Sequence, residues 1–448
     1  MSSLSLNKLA RRGASWTFIG FGVSQALRFG SNLILTRLLA REMFGLMLII
    51  NSLILGLAFF SDFGVGPSII QNERGEEPQF YNTAWTVQVV RGGILWLVCL
   101  AIAYPVAQYY EQPNLLWLVP IVGLSTIISG FNSTSLFTLN RKMALGKLNL
   151  LELATQIFSL AVMLVWAYFS PTIWALVAGH LTSSFLKMVF SHFLESATKN
   201  RFAWDKSAFK ELFSFGKWIF VGTAMKFLST QADKLILGKL LALAILGVYQ
   251  VAFVLAEMPQ MVMGKISNQV IFPVVSKYKS LPRWELREKI IRKRKLVLFA
   301  VIPLILILAG FGDQIIYFLY DDRYRQGGWM MSILALGIWP QLLVLTMNPC
   351  LLAIGKPLYS AWGNFVKFCY LAVALPLAYS LMGLPGAVIV VALNDIPVYG
   401  VVCYGLWREK LTVIIQDLQT TTILLALITL ICWLRYISGL GLPIDAIL

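Results

Sequence analysis

Arg28 stands four residues after Ser24 and three before Ser31, in a run that is otherwise largely apolar. That spacing places the three on one face of a helix, with Gln25 and Asn32 flanking it. Lys226, Thr230 and Asp233 repeat the pattern 202 positions later. A lysine or arginine facing lipid at mid-depth costs roughly 2.5–3.5 kcal/mol, so such stripes should turn toward protein or a water-filled path. A guanidinium and an ammonium placed there suit an anionic guest, because phosphate and pyrophosphate accept charge-assisted hydrogen bonds from both. A lipid carrying such a group could keep its tail in the bilayer while its head crosses.

Further polar side chains interrupt apolar runs. Gln88 and Arg91 form one set, Asn364 and Lys367 another, and His180, Ser184, Lys187 and Ser191 fall at i, i+4, i+7 and i+11. Acids are fewer: Asp62, Asp233, Glu257, and Asp395 beside Asn394. The excess inside the membrane is cationic. Arg28 and Lys226 lie deepest and read as cavity residues, with Ser24, Gln25, Asn32 and Thr230 beside them. Lys187, Lys367 and Arg91 lie nearer the inner ends of their runs. They carry two readings: substrate contacts, or side chains that snorkel to the headgroups. Glu257 precedes Pro259, which should kink its helix. An acid there suits a coupling ion or proton, as do Asp62, Asp233 and Asp395; Glu257 equally suits a structural bridge to Lys226 or Arg28.

Other chemistries find little support. There is no GxSxG, P-loop or HExxH, and "DFG" at 62–64 lacks every other kinase part. The five cysteines, Cys99, Cys350, Cys369, Cys403 and Cys432, lie in or at apolar runs without a CxxC pair, and read as small apolar residues. Two histidines, His180 and His192, do not make a zinc site. No cofactor, metal or nucleic-acid partner is expected. The basic block "SKYKSLPRWELREKIIRKRK" at 276–295 reads as attraction to anionic headgroups rather than to nucleic acid. "NST" at 132–134 falls near the cytoplasmic face and is discounted as a glycosylation acceptor.

The elements that must hold these residues follow from composition. The chain of 448 residues is 58% hydrophobic and 13% charged, with a mean hydropathy of +0.74. A soluble protein of this length carries about twice that charge. Spans, each near the roughly 20 apolar residues that cross a bilayer, are expected at 14–36, 44–63, 83–107, 115–137, 148–169, 172–194, 212–236, 245–270, 296–319, 328–353, 357–380, 383–406 and 420–438. The reading is an all-α polytopic membrane protein. No cleavable signal peptide is evident. Putting the N-terminus in the cytoplasm gives inner segments an excess of Lys and Arg of about four to one over outer ones, as the positive-inside rule requires.

The repeat organises the spans. "LILTRLLA" at 33–40 matches "LILGKLLA" at 235–242. The same shift superposes Trp16 on Trp218, Phe18 on Phe220, Gly20 on Gly222 and Gly45 on Gly247. Span 1 falls on span 7. Six intervening spans keep both copies in one orientation, so the repeat is parallel. The chain divides into an N-lobe at 1–195, a cytoplasmic linker at 196–211, a C-lobe at 212–408 and an extension at 409–448 with span 13. Two parallel six-helix lobes leave a seam where alternating-access transporters place their substrate.

The layout resembles the Wzx-type oligosaccharide flippases of the multidrug/oligosaccharidyl-lipid/polysaccharide exporter superfamily. The resemblance is carried by "TRLLAREMFGLMLIINSLILGLAFFSDFGVGPSIIQ", with its "LxREMFG" turn and "DFGxxxxxxQ", by "FSFGKWIFVGTAMKFLSTQADKLILGKLLALAILGVYQVAFVLAEMP", and by "IFPVVSK". It implies a two-lobe fold of twelve to fourteen helices that moves undecaprenyl-pyrophosphate-linked sugars across the bacterial inner membrane for exopolysaccharide, O-antigen or capsule synthesis. It also implies a cationic central cavity, which Arg28 and Lys226 fit by position. Membrane lipid and polysaccharide polymerase or export proteins are the partners expected, with the transporter working as a monomer. A fourteenth helix is not visible, since "SGLGLPIDAIL" is too short. Two rival readings stand beside it. A multidrug antiporter of the same superfamily would want an acidic cavity. A glycan polymerase would want a large outer loop with catalytic groups, where "YDDRYRQGG" offers only Asp321, Asp322, Arg323 and Arg325.

Overall fold

Hydrocarbon offers no partner to a backbone N–H or C=O, so each apolar run closes its hydrogen bonds internally, as helix. The computed structural model describes residues 3–195, 198–267, 275, 278 and 281–445, and among these there is no strand. The last three residues of expected span 8, most of "IFPVVSK", and Lys277 and Lys279 of the basic block lie outside them.

The chain forms two compact units, Met1–Phe227 and Leu228–Leu448. The first holds α1 (Ser3–Leu38), α2 (Arg41–Phe59), α3 (Val65–Gln71), α4 (Pro78–Tyr109), α5 (Leu115–Gly130), α6 (Ser135–Arg141), α7 (Leu145–Phe169), α8 (Ile173–Ser191) and the first part of α9 (Lys206–Leu240). The second holds the rest of α9, then α10 (Leu243–Ala256), α11 (Met258–Ile266), α12 (Arg283–Gly310), α13 (Gly312–Leu319), α14 (Gly327–Ala353), α15 (Leu358–Ala392), α16 (Ile396–Arg408) and α17 (Ile414–Ile437).

Each expected span finds a helix. Seven helical stretches among the described residues are long and apolar enough to cross a membrane, and three more if each bent pair counts as one. The bent pairs are α5 with α6 at 57°, α10 with α11 at 44°, and α12 with α13 at 69°. The 44° bend falls at Glu257–Met258, one residue before Pro259, where a kink was expected. One stretch of 51 residues, Leu358–Arg408, contains expected spans 11 and 12. Gly383 divides them: its φ of 64° and ψ of −146° lie outside the helical region, at a conformation that a Cβ would oppose. α1 and α9, at 36 and 35 residues, are long enough but not apolar enough to pass by composition. They are the helices that carry the polar stripes. The chain is a multi-pass membrane protein.

The division between units falls inside α9, after Phe227. The reason is packing. Ala208 and Leu212 complete a buried cluster with Val65, Ile69, Phe80 and Ala84. The Thr223 hydroxyl donates to the Phe59 carbonyl at 3.0 Å. The linker is strapped along α4: the backbone N–H groups of Arg201, Ala203 and Asp205 donate to Asn82 Oδ1, Thr86 Oγ1 and Thr83 Oγ1 at 2.9, 3.1 and 3.0 Å. The Asp205 carboxylate then caps α9, accepting from the N–H of Ser207 and of Ala208 at 2.7 and 3.0 Å.

α17, the helix of span 13, is tied down at both ends. Near its start Asp417 pairs with Arg294 of α12, whose side chain is 1% exposed. Near its end Arg435 grips Asp313 at 2.6 Å and donates to the Gly441 carbonyl at 2.9 Å. Asp417 and Arg435 are about 27 Å apart along a helix rising 1.5 Å per residue, close to the roughly 30 Å of hydrocarbon in a bilayer.

Candidate functional site

In the first unit, the sequence-selected residues fall into separate places. The Ser24 hydroxyl donates to Gln156 Oε1 of α7 at 2.5 Å, and Gln156 Nε2 returns a bond to the Ser24 carbonyl at 2.9 Å. Arg28, one turn further along α1, is exposed, and among the described residues its guanidinium makes no ion pair or hydrogen bond. Gln25 and Asn32 flank it, half-buried. Lys187 of α8 is half-buried too. His180, on the same face, is half-buried with its Nε2 enclosed and unpartnered among the described residues.

Arg91 of α4 reaches the end of α2. Its Nε donates to Ser61 Oγ at 2.9 Å and its Nη2 to the Ala58 carbonyl at 2.6 Å. It therefore satisfies the open carbonyls at the end of α2, where a cation also meets the negative pole of the helix. Arg91, Gln88 and Asp62 line a cavity of about 430 Å³ inside this unit. Asp62 Oδ1 accepts the Gly64 N–H at 2.9 Å. Gly64 has a φ of 65° and opens α3, so the "DFG" turn is an Asx-type turn closed by the Asp62 carboxylate.

Lys226 lies on the last full turn of α9 assigned to the first unit and is exposed. The second unit gathers the other acids. Lys367 of α15 is buried and its ammonium bonds both carboxylate oxygens of Asp395 at 2.9 Å. Tyr249 donates to Asp233 Oδ2 at 3.3 Å. Glu257 lies within electrostatic reach of Lys234, Asp233, Lys367 and Asp395. Three of the four acids selected from sequence, Asp233, Glu257 and Asp395, thus lie in the second unit, where Lys367 pairs with Asp395. The Ser229 hydroxyl meets Asn364 Oδ1 at 3.1 Å on the same side of α9. Among the described residues no group of three His, Cys, Asp or Glu could hold a metal ion.

Lys234 escaped the sequence reading although it is four residues after Thr230, whose carbonyl accepts its ammonium at 3.3 Å. It also sits 5.0 Å over the Phe253 ring. Its signal was its spacing from the Lys226 stripe. Lys367→Ala should leave Asp395 buried and unpaired, at a cost of about 3 kcal/mol. The check is thermal unfolding of the purified protein, where Lys367→Met combined with Asp395→Leu should recover most of the loss.

Comparison with known proteins separates fold from family. The fold is that of a lipid II flippase MurJ in an inward closed conformation: TM-score 0.69 at 14% identity, covering 94% of this chain and 92% of that one. It is also that of an inward-facing multidrug resistance MATE transporter: TM-score 0.67 at 11% identity, covering 86% and 94%. Fold alone therefore does not choose between them. The model of the polysaccharide biosynthesis protein family matches residues 34–327. The chain belongs to that family. A similar protein is the teichuronic acid biosynthesis protein TuaB of Bacillus subtilis (strain 168), 23% identical over 379 residues, which are 82% of this chain and 76% of TuaB. The family match runs from the end of α1 to the start of α14. It takes in the "DFG" turn, Arg91, and the whole of α9 with its Lys226 and Asp233.

Proposed function

We propose that this member of the polysaccharide biosynthesis family flips a lipid-linked oligosaccharide from the cytoplasmic to the outer leaflet by alternating access. Its membrane is the bacterial cytoplasmic membrane, with the N-terminus on the cytoplasmic side. The observation that carries the reading is the family match, joined to a cationic excess inside the spans. The substrate head is an undecaprenyl pyrophosphate; its two phosphates would take hydrogen bonds from Arg28 and Lys226, with Arg91 and Lys187 as further contacts. An exposed Arg28 with no acidic partner among the described residues keeps its charge available for a guest. Asp233, Glu257 and Asp395, with Lys234 and Lys367 between them, form the group that couples transport to an ion or proton. The protein acts as a transporter and not as an enzyme.

The test is reconstitution. Purified protein in liposomes should carry a pyrophosphate-linked, fluorescently labelled sugar lipid across the bilayer, read by quenching from outside. A multidrug antiporter would instead move organic cations and leave that lipid in place.

A further inference from the structure

Two neighbouring stripes run up α12. Leu286, Ile290, Arg294 and Leu298 are buried against the second unit. One position on, Arg287, Ile291, Lys295 and Phe299 also recur every fourth residue, and so share a face. They form one wall of a groove of about 750 Å³, whose other wall is the start of α17, from Val413 to Ile423. No Asp or Glu lines it.

The groove changes character along its length. Arg287 is tethered by its Nε, which donates to the Thr412 carbonyl at 2.5 Å. Lys295 is exposed, 5.9 Å over the Phe299 ring, and is the last charged residue of α12 before an apolar run. Gln416 and Gln419 give way to Ile423 on the facing helix. One end is thus cationic and polar, the other apolar. Behind the groove Arg294 and Asp417 neutralise each other, and no acid among the lining residues offsets the two cations in front.

We propose that this groove binds one anionic phospholipid. Its phosphate lies at the level of Arg287 and Lys295, and an acyl chain runs along Phe299 and Ile423. A zwitterionic lipid would bring its own cationic amine against two cations. General surface attraction acts equally on any exposed lysine, such as Lys293, which does not line the groove. The site is separate from the substrate contacts proposed above and does not rest on them.

The experiment titrates the purified full-length chain with phosphatidylglycerol or phosphatidylcholine and counts bound lipid by native mass spectrometry. The wild type should bind phosphatidylglycerol about tenfold or more tightly than phosphatidylcholine. Arg287→Gln with Lys295→Gln should weaken phosphatidylglycerol by about thirtyfold, and Lys295→Gln alone by about fivefold. Lys295 makes no hydrogen bond among the described residues, so Lys295→Gln stays informative if the double variant fails to fold. Lys293→Gln should change binding by less than about twofold. Equal affinity for the two lipids, or equal losses in Lys293→Gln and Lys295→Gln, would overturn the proposal. So would displacement of phosphatidylglycerol by equimolar undecaprenyl pyrophosphate, which would hand the groove to the substrate.

Discussion

Arg294→Ala should destabilise the second unit by about 3–5 kcal/mol, the range for removing one partner of a buried ion pair. The side chain is 1% exposed and its contacts join three helices, α12, α14 and α17. Its Nε donates to Thr346 Oγ1 of α14 at 2.8 Å and its Nη1 to Gln416 Oε1 of α17 at 3.3 Å. Its closest partner is the Asp417 carboxylate, whose second oxygen accepts from Tyr399 of α16 at 2.8 Å. Truncation strands that carboxylate in a dry interior, where burying an unpaired charge is the dominant cost. A total stability of about 5–15 kcal/mol is typical of folded domains, so the loss is a large share. Arg294→Met combined with Asp417→Leu should recover most of it, since replacing both partners leaves no orphan. Thermal unfolding in detergent checks both. Equal melting of Arg294→Ala and wild type would show that α17 is held by its apolar packing alone.

Arg28→Ala and Lys226→Ala should each remove export while leaving the amount of folded protein unchanged. Both side chains are exposed, so truncation opens no cavity in the core. The lost interaction is a hydrogen bond to a charged group, worth about 1.5–3 kcal/mol, or roughly a 10- to 150-fold loss of affinity for each residue. Arg28→Lys should keep part of the activity, because it retains the charge but not the two-pronged geometry that matches a phosphate. Transport by reconstituted protein, beside its size-exclusion profile, separates the outcomes. Normal transport by both alanine variants would remove them from the substrate path.

Much of the architecture was legible in the letters. Apolar runs of spanning length predict helices, and Pro259 marked a bend where the backbone has one. Polar contacts were less legible. Periodicity places a residue on a face but does not say what faces it. Arg294 looked like one more cation in a basic block, yet Leu286, Ile290 and Leu298 at steps of four put it on the buried stripe. Lys367 and Asp395, 28 residues apart, lie on either side of the break at Gly383. Gln156 pairs with Ser24 across 132 residues, a distance no local pattern encodes. Asp62 shows the reverse case: an acid singled out for coupling also has a local turn to close.

The central claim is directional movement of a lipid-linked glycan, and its most direct test is the leaflet on which that glycan collects in cells lacking the protein. Complete repeat units should collect on the inner leaflet, cleared by the wild-type gene and not by Arg28→Ala. Units that reach the outer leaflet and stay unpolymerised would contradict it and point to a membrane enzyme acting after the crossing.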